Sequence, residues 1–235
     1  MWEHAALYVV IGFLAQLVDG AVGMAYGLTA TSVLLSTGVT PATASACVHA
    51  AEVFTTGASG IAHWRLDNID RRLVFRLAVP GMIGGAIGAY VLTELPGNLL
   101  RPWIGAYLLV LGLVILWRAT RARPIEPAPP KMVSPLGFFG GILDAIGGGG
   151  WGPIVTSSLL GMGTPARTTI GSVSLSEFFV TATISATFFL TIGLELWPII
   201  AGLIVGGVLA APLAAWAAKH IPQRALLTLV GCVIV

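Results

Sequence analysis

Apolar stretches long enough to cross a membrane follow one another along nearly the whole chain. A helix of about 20 apolar residues crosses a bilayer core of about 30 Å. Within these stretches the apolar positions are continuous and do not alternate with polar ones, which disfavours a β-barrel. The pattern therefore predicts an all-α polytopic membrane protein. The predicted ordinary spans are 41–62, 73–93, 99–118, 166–190, 196–218 and a short last one, 223–235.

Two further apolar segments, 5–37 and 135–163, are interrupted near the middle by glycines and an acid. The first contains LVDGAVGMAYG at 17–27, and the second contains LDAIGGGGWGP at 143–153. Each arm of about 14 or 15 residues reaches about 21–23 Å as a helix, which is short of a crossing. We predict two re-entrant helical hairpins, because irregular backbone is tolerated at membrane depth inside protein or beside a cavity. Two tilted full spans per segment are the alternative.

The two interrupted segments align with each other without a gap. Residues 12–38 pair with residues 137–163, and 10 of the 27 positions are identical. Asp19 meets Asp144 in this alignment, and small gaps then bring Glu52 to Glu177. An internal repeat of this kind is typical of transporter folds.

The alignment divides the chain into two repeats, each with a hairpin followed by three spans. The first repeat is 1–118 and the second is 135–235. Between them lies the polar, proline-rich linker 119–134, ATRARPIEPAPPKMVS, which does not suit a membrane helix.

The distribution of basic residues predicts the orientation of the spans. Lys and Arg favour the cytoplasmic side of a membrane. The loop at 63–72 and the linker are rich in them, and the loop at 190–197 has none. We therefore place the linker in the cytoplasm and the N-terminus outside, in the cell inner (cytoplasmic) membrane. Every Lys and Arg except Arg101 is then cytoplasmic, and the two repeats are inverted relative to each other.

Composition and motifs exclude several classes of function. Charged residues are 9% of the chain, against about 25% in soluble domains. A net charge of +2 does not suggest a nucleic-acid partner, and Cys47 and Cys232 have no metal-ligand spacing. The zincin, nucleophile-elbow and Walker A motifs are absent, so we expect no enzyme, cofactor or metal. The expected partners are a small anion and the lipid bilayer, with homo-oligomers left open.

The hairpin tips are the candidate anion site. Each tip would expose the N-terminus of its second arm, where unpaired N–H groups and the helix dipole attract anions. Tyr26 and Trp151 would line or gate the cavity, or else only pack. Arg167 would draw anions inward, or else only anchor the span. The candidate substrate-binding residues are Gly20, Gly23, Tyr26, Gly27, Thr31, Ser32, Gly147, Gly148, Gly149, Gly150, Trp151, Gly152, Thr156, Ser157 and Arg167.

Four acids lie inside apolar segments, namely Asp19, Glu52, Asp144 and Glu177. Charges are costly to bury in a bilayer, so such acids usually face a cavity and serve function. We predict that they bind protons coupled to transport; the alternative is that they cap helices or stabilise the tips. His49 lies three residues before Glu52 on the same helix face and either relays protons or packs.

These residues resemble those of the sulfite exporter TauE/SafE family. The resemblance covers GFLAQLVDGAVGMAYG, GILDAIGGGGWGP, the Thr-Pro pair after each hairpin and the small length. It implies a carrier of sulfite, organosulfonates or related sulfur anions across the cytoplasmic membrane.

The residues and the resemblance together predict a secondary transporter. It would export the anion by alternating access with carboxylate-linked proton coupling. The alternatives are a passive anion channel or a carrier of a non-sulfur metabolite, and then a membrane-embedded enzyme.

Overall fold

The computed structural model describes residues 5–22, 26–120, 132–162, 164–193 and 197–220, with single positions after 224. All regular structure in these ranges is helical, which confirms the predicted all-α class. A π-helical turn, Gly152–Thr156, precedes α7. The helices are α1 (Ala5–Val22), α2 (Tyr26–Ser36), α3 (Pro41–Arg65), α4 (Arg71–Glu94), α5 (Gly97–Thr120), α6 (Val133–Gly147), α7 (Ser157–Gly161), α8 (Ala166–Ile192) and α9 (Trp197–His220).

Helices α3, α4, α5, α8 and α9 each begin and end within three residues of a predicted span. Local chemistry fixes some of these ends. The Asp70 carboxylate caps α4 by accepting hydrogen bonds from the N–H groups of Arg72 and Leu73, at 2.9 and 3.2 Å. Three described helices are long and apolar enough to cross a membrane: Arg71–Glu94, Gly97–Trp117 and Thr168–Ile192. The predicted last span, 223–235, lies largely outside the described residues.

The second interrupted segment breaks at its glycines. Helix α6 ends at Gly147, and Gly148, Gly149 and Gly150 have φ angles of 68°, 125° and 159°. These values are ones that glycine adopts without the strain a side chain would cause. The chain is helical again from Trp151. The π-helical turn that follows is wider than an α-helix, and the sequence pattern did not predict it.

The first interrupted segment has a longer first arm than predicted. Helix α1 has 18 residues, which is about 27 Å at 1.5 Å per residue. Gly20 and Gly27 are helical, and only residues 23–25, outside the described residues, separate α1 from α2. Whether the two segments enter a membrane from opposite faces stays a prediction.

The most extensive helix packing joins one half of the chain to the other. Helix α1 packs against α9, α6 packs against α4, and α3 packs against α8 between them. Glycines allow the close approach, as is usual between membrane helices. A Cβ on Gly137 would lie 2.7 Å from the Leu77 carbonyl oxygen, and one on Gly88 would lie 2.7 Å from that of Ile142. Both interrupted segments also pack against α3, and the second one packs against α8 as well.

Candidate functional site

The ends of the two interrupted segments touch each other. A Cβ on Gly27 would lie 2.6 Å from the Gly149 Cα, so the two backbones are in direct contact. The Thr31 hydroxyl donates a hydrogen bond to the Gly148 carbonyl. The described parts of 20–27 and 147–152 therefore meet at one place in the molecule.

The acid of each first arm caps the start of the second arm. The Tyr26 N–H donates to Asp19 Oδ1 at 3.1 Å, and the Trp151 N–H donates to Asp144 Oδ1 at 2.9 Å. Both bonds join residues seven apart in the chain. A carboxylate at a helix N-terminus is stabilised by the dipole and satisfies an unpaired N–H group. Helix capping is the alternative role that the sequence left open for these acids. The two caps also occupy N–H groups that we expected to bind the anion.

Asp144 also forms a buried pair with His49. The distance from His49 Nε2 to Asp144 Oδ2 is 3.3 Å, and neither side chain is exposed by more than 1%. His49 Nδ1 lies 2.8 Å from the Ser45 carbonyl, which can only accept, so Nδ1 carries a hydrogen. A hydrogen bond between Nε2 and Oδ2 then requires a hydrogen on one of these two atoms. The Ser45 hydroxyl donates to the Ala145 carbonyl at 2.6 Å, so the first half of α3 is hydrogen-bonded to the second interrupted segment.

A cavity of about 310 Å³ lies beside this contact and brings together three of the four predicted acids, Asp19, Glu52 and Glu177. It also borders residues of both interrupted segments. The other lining residues are Gln16, Tyr26, Gly27, Leu28, Thr55, Thr56, Ser59, His63, Gly150, Gly152, Pro153, Thr156, Ile170, Val173 and Ser174.

One face of α3 and one face of α8 form the cavity wall. Glu52, Thr56, Ser59 and His63 follow one another at helical spacing, and the lining positions of α8 precede Glu177 in the same way. The Ser174 hydroxyl donates to that of Ser59 at 2.8 Å across the two helices. The sequence analysis did not predict that these hydroxyls line the cavity. Their helical spacing from the two glutamates could have identified them.

Among the described lining residues, exposure increases from the start of α3 towards its end. Ser45 and His49, near the start of α3, are fully buried, and Glu52 is 5% exposed. Beyond Glu52 the lining becomes more open, and Ile170 at the far end is 38% exposed. The cavity therefore opens where α3 ends and α8 begins, and it is closed near the His49–Asp144 pair.

The structure separates the predicted site residues into two groups. Besides the three acids, Tyr26, Gly27, Gly150, Gly152 and Thr156 line the cavity. Gly23 lies outside the described residues, and for Gly20 and Arg167 only helical backbone is described. The predicted residues that do not line the cavity are Thr31, Ser32, Gly147, Gly148, Gly149, Trp151, Ser157, His49 and Asp144.

The two aligned aromatic residues differ in their surroundings. The Tyr26 hydroxyl donates to the Leu203 carbonyl of α9 at 3.1 Å, and the ring borders the cavity. Trp151 is fully buried, and its ring fills the space beside Gly81, where a Cβ would lie 2.6 Å from it. Trp151 therefore packs α6 and α4 together rather than lining the cavity.

The ionisable side chains of the cavity wall are mostly acidic. Among its described lining residues none is Lys or Arg, and His63 is the one basic side chain. Glu52 Oε2 has no hydrogen-bond partner within the described structure, and the Gly27 N–H faces the same carboxylate. Ionised carboxylates that share one poorly hydrated cavity repel each other, so this wall favours a neutralising positive charge.

A helical bundle that includes membrane-length apolar helices and contains a cavity lined by acids is the arrangement of a polytopic membrane transporter. Residues 8–235 match the family described as "Sulfite exporter TauE/SafE", and the chain belongs to that family. It is 42% identical over 234 residues to "Probable membrane transporter protein YtnM" of Bacillus subtilis (strain 168), which covers 96% of this chain and 78% of the relative. No solved structure gives a significant match to the chain.

Proposed function

We propose that this protein is a secondary transporter that moves a small sulfur-containing anion, sulfite or an organosulfonate, across the cytoplasmic membrane. Transport is export by alternating access, coupled to protons on carboxylates. The observation that supports this proposal best is the cavity where both interrupted segments meet three acids. The sulfur identity of the anion rests on membership of the family.

Proton coupling follows from the charge of the cavity wall. An anion about 5 Å from one ionised carboxylate is repelled by about 3 kcal/mol at an effective dielectric constant of about 20. The anion therefore binds well when protons neutralise Glu52 and Glu177. By linkage, the bound anion favours protonation of these carboxylates by the same factor.

Alternating access is supported by the exchange of packing partners between the halves. The pairs α1 with α9, α6 with α4, and α3 with α8 are those expected of two repeats related by a twofold axis. With the N-terminus outside and the linker 119–134 in the cytoplasm, the cavity opens to the cytoplasm. If the cavity opened to the outer side of the membrane instead, the contacts of Ser45 and His49 with the second segment would break.

The test is radiolabelled sulfite flux in proteoliposomes with Glu52→Gln. We expect flux to fall at least tenfold, because glutamine cannot carry the coupled proton. Glu94→Gln is the matched control, since Glu94 is exposed at the end of α4 and does not line the cavity. Flux that is unchanged in Glu52→Gln would remove this residue from the mechanism. Wild-type flux that is insensitive to an imposed pH gradient would instead indicate a passive channel.

A further inference from the structure

A tyrosine of α5 lies behind the glycine turn of the second interrupted segment. The Tyr107 ring packs against Gly147 and its hydroxyl lies against Gly150, so that a Cβ on either glycine would overlap the tyrosine. Gly150 also lines the cavity, whereas Tyr107 does not border it in the described part of the chain. Because glycine has no side chain, the backbone of a single residue lies between the hydroxyl and the cavity.

The Tyr107 hydroxyl is buried and has no hydrogen-bond partner among the residues that the structure describes. Buried polar groups are nearly always paired, and an unpaired one costs free energy in the state that leaves it so. Phenylalanine would fill the same space without this cost. The hydroxyl is therefore explained best by a partner that it meets in another state of the transport cycle.

Helix α5 begins at the closed end of the cavity and is loosely packed. A Cβ on Gly97 would lie 3.5 Å from Pro41 Cδ at the start of α3, and the Arg101 guanidinium donates to the Leu35 carbonyl near the end of α2 at 2.9 Å. Only 22% of the apolar window of α5 is buried, against 44% in α4 and 28% in α8. Helix α5 can therefore separate from the glycine turn with less loss of packing than α4 or α8.

We infer that Tyr107 is a further substrate-binding residue, whose hydroxyl donates a hydrogen bond to the transported anion when the cavity opens at its closed end. Separation of α5 from the Gly147–Gly150 turn exposes the hydroxyl to the cavity, and a phenolic O–H is a good donor to an oxyanion. With the linker in the cytoplasm, the closed end faces outward. The inference rests on the proposed function and adds a residue that contacts the anion on the outer side only.

Sulfite kinetics measured from each side of the membrane test this assignment with Tyr107→Phe. Right-side-out membrane vesicles present the outer side to radiolabelled sulfite, and everted vesicles present the cytoplasmic side. We expect the outer-side KM to rise by about tenfold and the cytoplasmic-side KM to stay within about twofold, because one hydrogen bond to an anion is lost on the outer side. Tyr90→Phe in α4 is the matched control and should keep both values, since Tyr90 is exposed and does not line the cavity.

A binding role and a purely structural role of Tyr107 give different results in this assay. An outer-side KM that is unchanged in Tyr107→Phe, or KM values that rise equally on both sides, would overturn the inference and leave the anion transporter in place. Absence of sulfite flux into wild-type vesicles of either orientation would overturn the proposed function, and the inference with it.

Thermal unfolding tests the unpaired hydroxyl independently of flux. Tyr107→Phe should unfold at the wild-type temperature or above it, because it removes no hydrogen bond from this state. Gly150→Ala should lower the unfolding temperature, and by less in the Tyr107→Phe background, because the added Cβ overlaps the hydroxyl oxygen but lies 3.4 Å from the ring carbon Cζ. A lower unfolding temperature of Tyr107→Phe, or an equal loss from Gly150→Ala in both backgrounds, would contradict the contact on which the inference depends.

Discussion

Replacing Gly27 by alanine tests the contact between the two interrupted segments. The added Cβ would lie 2.6 Å from the Gly149 Cα and 2.7 Å from Glu52 Oε1. Carbon atoms in good contact are roughly 3.5–4.0 Å apart, so the two segments must separate by about 1 Å. Neither atom can move away easily, because the Gly149 Cα belongs to the backbone and the Glu52 side chain is buried.

Overpacking of this kind costs about 1–3 kcal/mol. We expect a loss of thermal stability of that size together with a loss of flux, because the Gly27 N–H moves away from Glu52. Gly105→Ala in α5 is the matched control: nothing lies within 4 Å of its added Cβ, so it should not lose stability. Thermal unfolding in detergent and flux in proteoliposomes measure the two effects. If Gly27→Ala has the same stability and flux as the wild type, the close contact between Gly27 and Gly149 is refuted.

Two further predictions concern the second segment and the orientation. Asp144→Ala should lower stability by about 3–5 kcal/mol, because it leaves His49 and the Trp151 N–H without their buried partner. Asp144→Asn keeps an acceptor for that N–H and should cost less; equal losses in chemical unfolding would contradict the pairing. Glu126→Cys, with Cys47 and Cys232 changed to alanine, should react with an impermeant maleimide only from the cytoplasmic side. Labelling from outside would reverse the topology.

The sequence predicted the helices well because a bilayer demands continuous apolar runs of nearly fixed length. It also placed the second break correctly, since Gly148 and Gly149 need φ angles that other residues rarely adopt. The packing of α1 against α9 was not predictable from periodicity, because it depends on how glycines of distant helices fit together. For the same reason the sequence left open whether Trp151 lines the cavity or only packs, and the structure shows its ring filling the space beside Gly81.

The hydroxyl wall could have been predicted, and the unequal roles of the aligned acids could not. Thr56 and Ser59 follow Glu52 at helical spacing, which the sequence displays directly. Asp19 and Asp144 align and cap their helices in the same way, but Asp144 pairs with His49 and lies away from the cavity, whereas Asp19 borders the cavity. That difference depends on which face of α3 meets the second segment.

The last prediction separates the two aspartates by function. Asn at either position keeps a side-chain oxygen for the Tyr26 or Trp151 N–H, so both variants should fold. Asp19 borders the cavity, so Asp19→Asn removes a negative charge that a bound anion feels, worth about 3 kcal/mol at about 5 Å. We expect the pH dependence of flux to change in Asp19→Asn and to stay as in the wild type in Asp144→Asn. The pH profile of sulfite flux is the measurement. If Asp144→Asn alone changes it, the coupling site is the His49–Asp144 pair, which lies behind the cavity rather than in it.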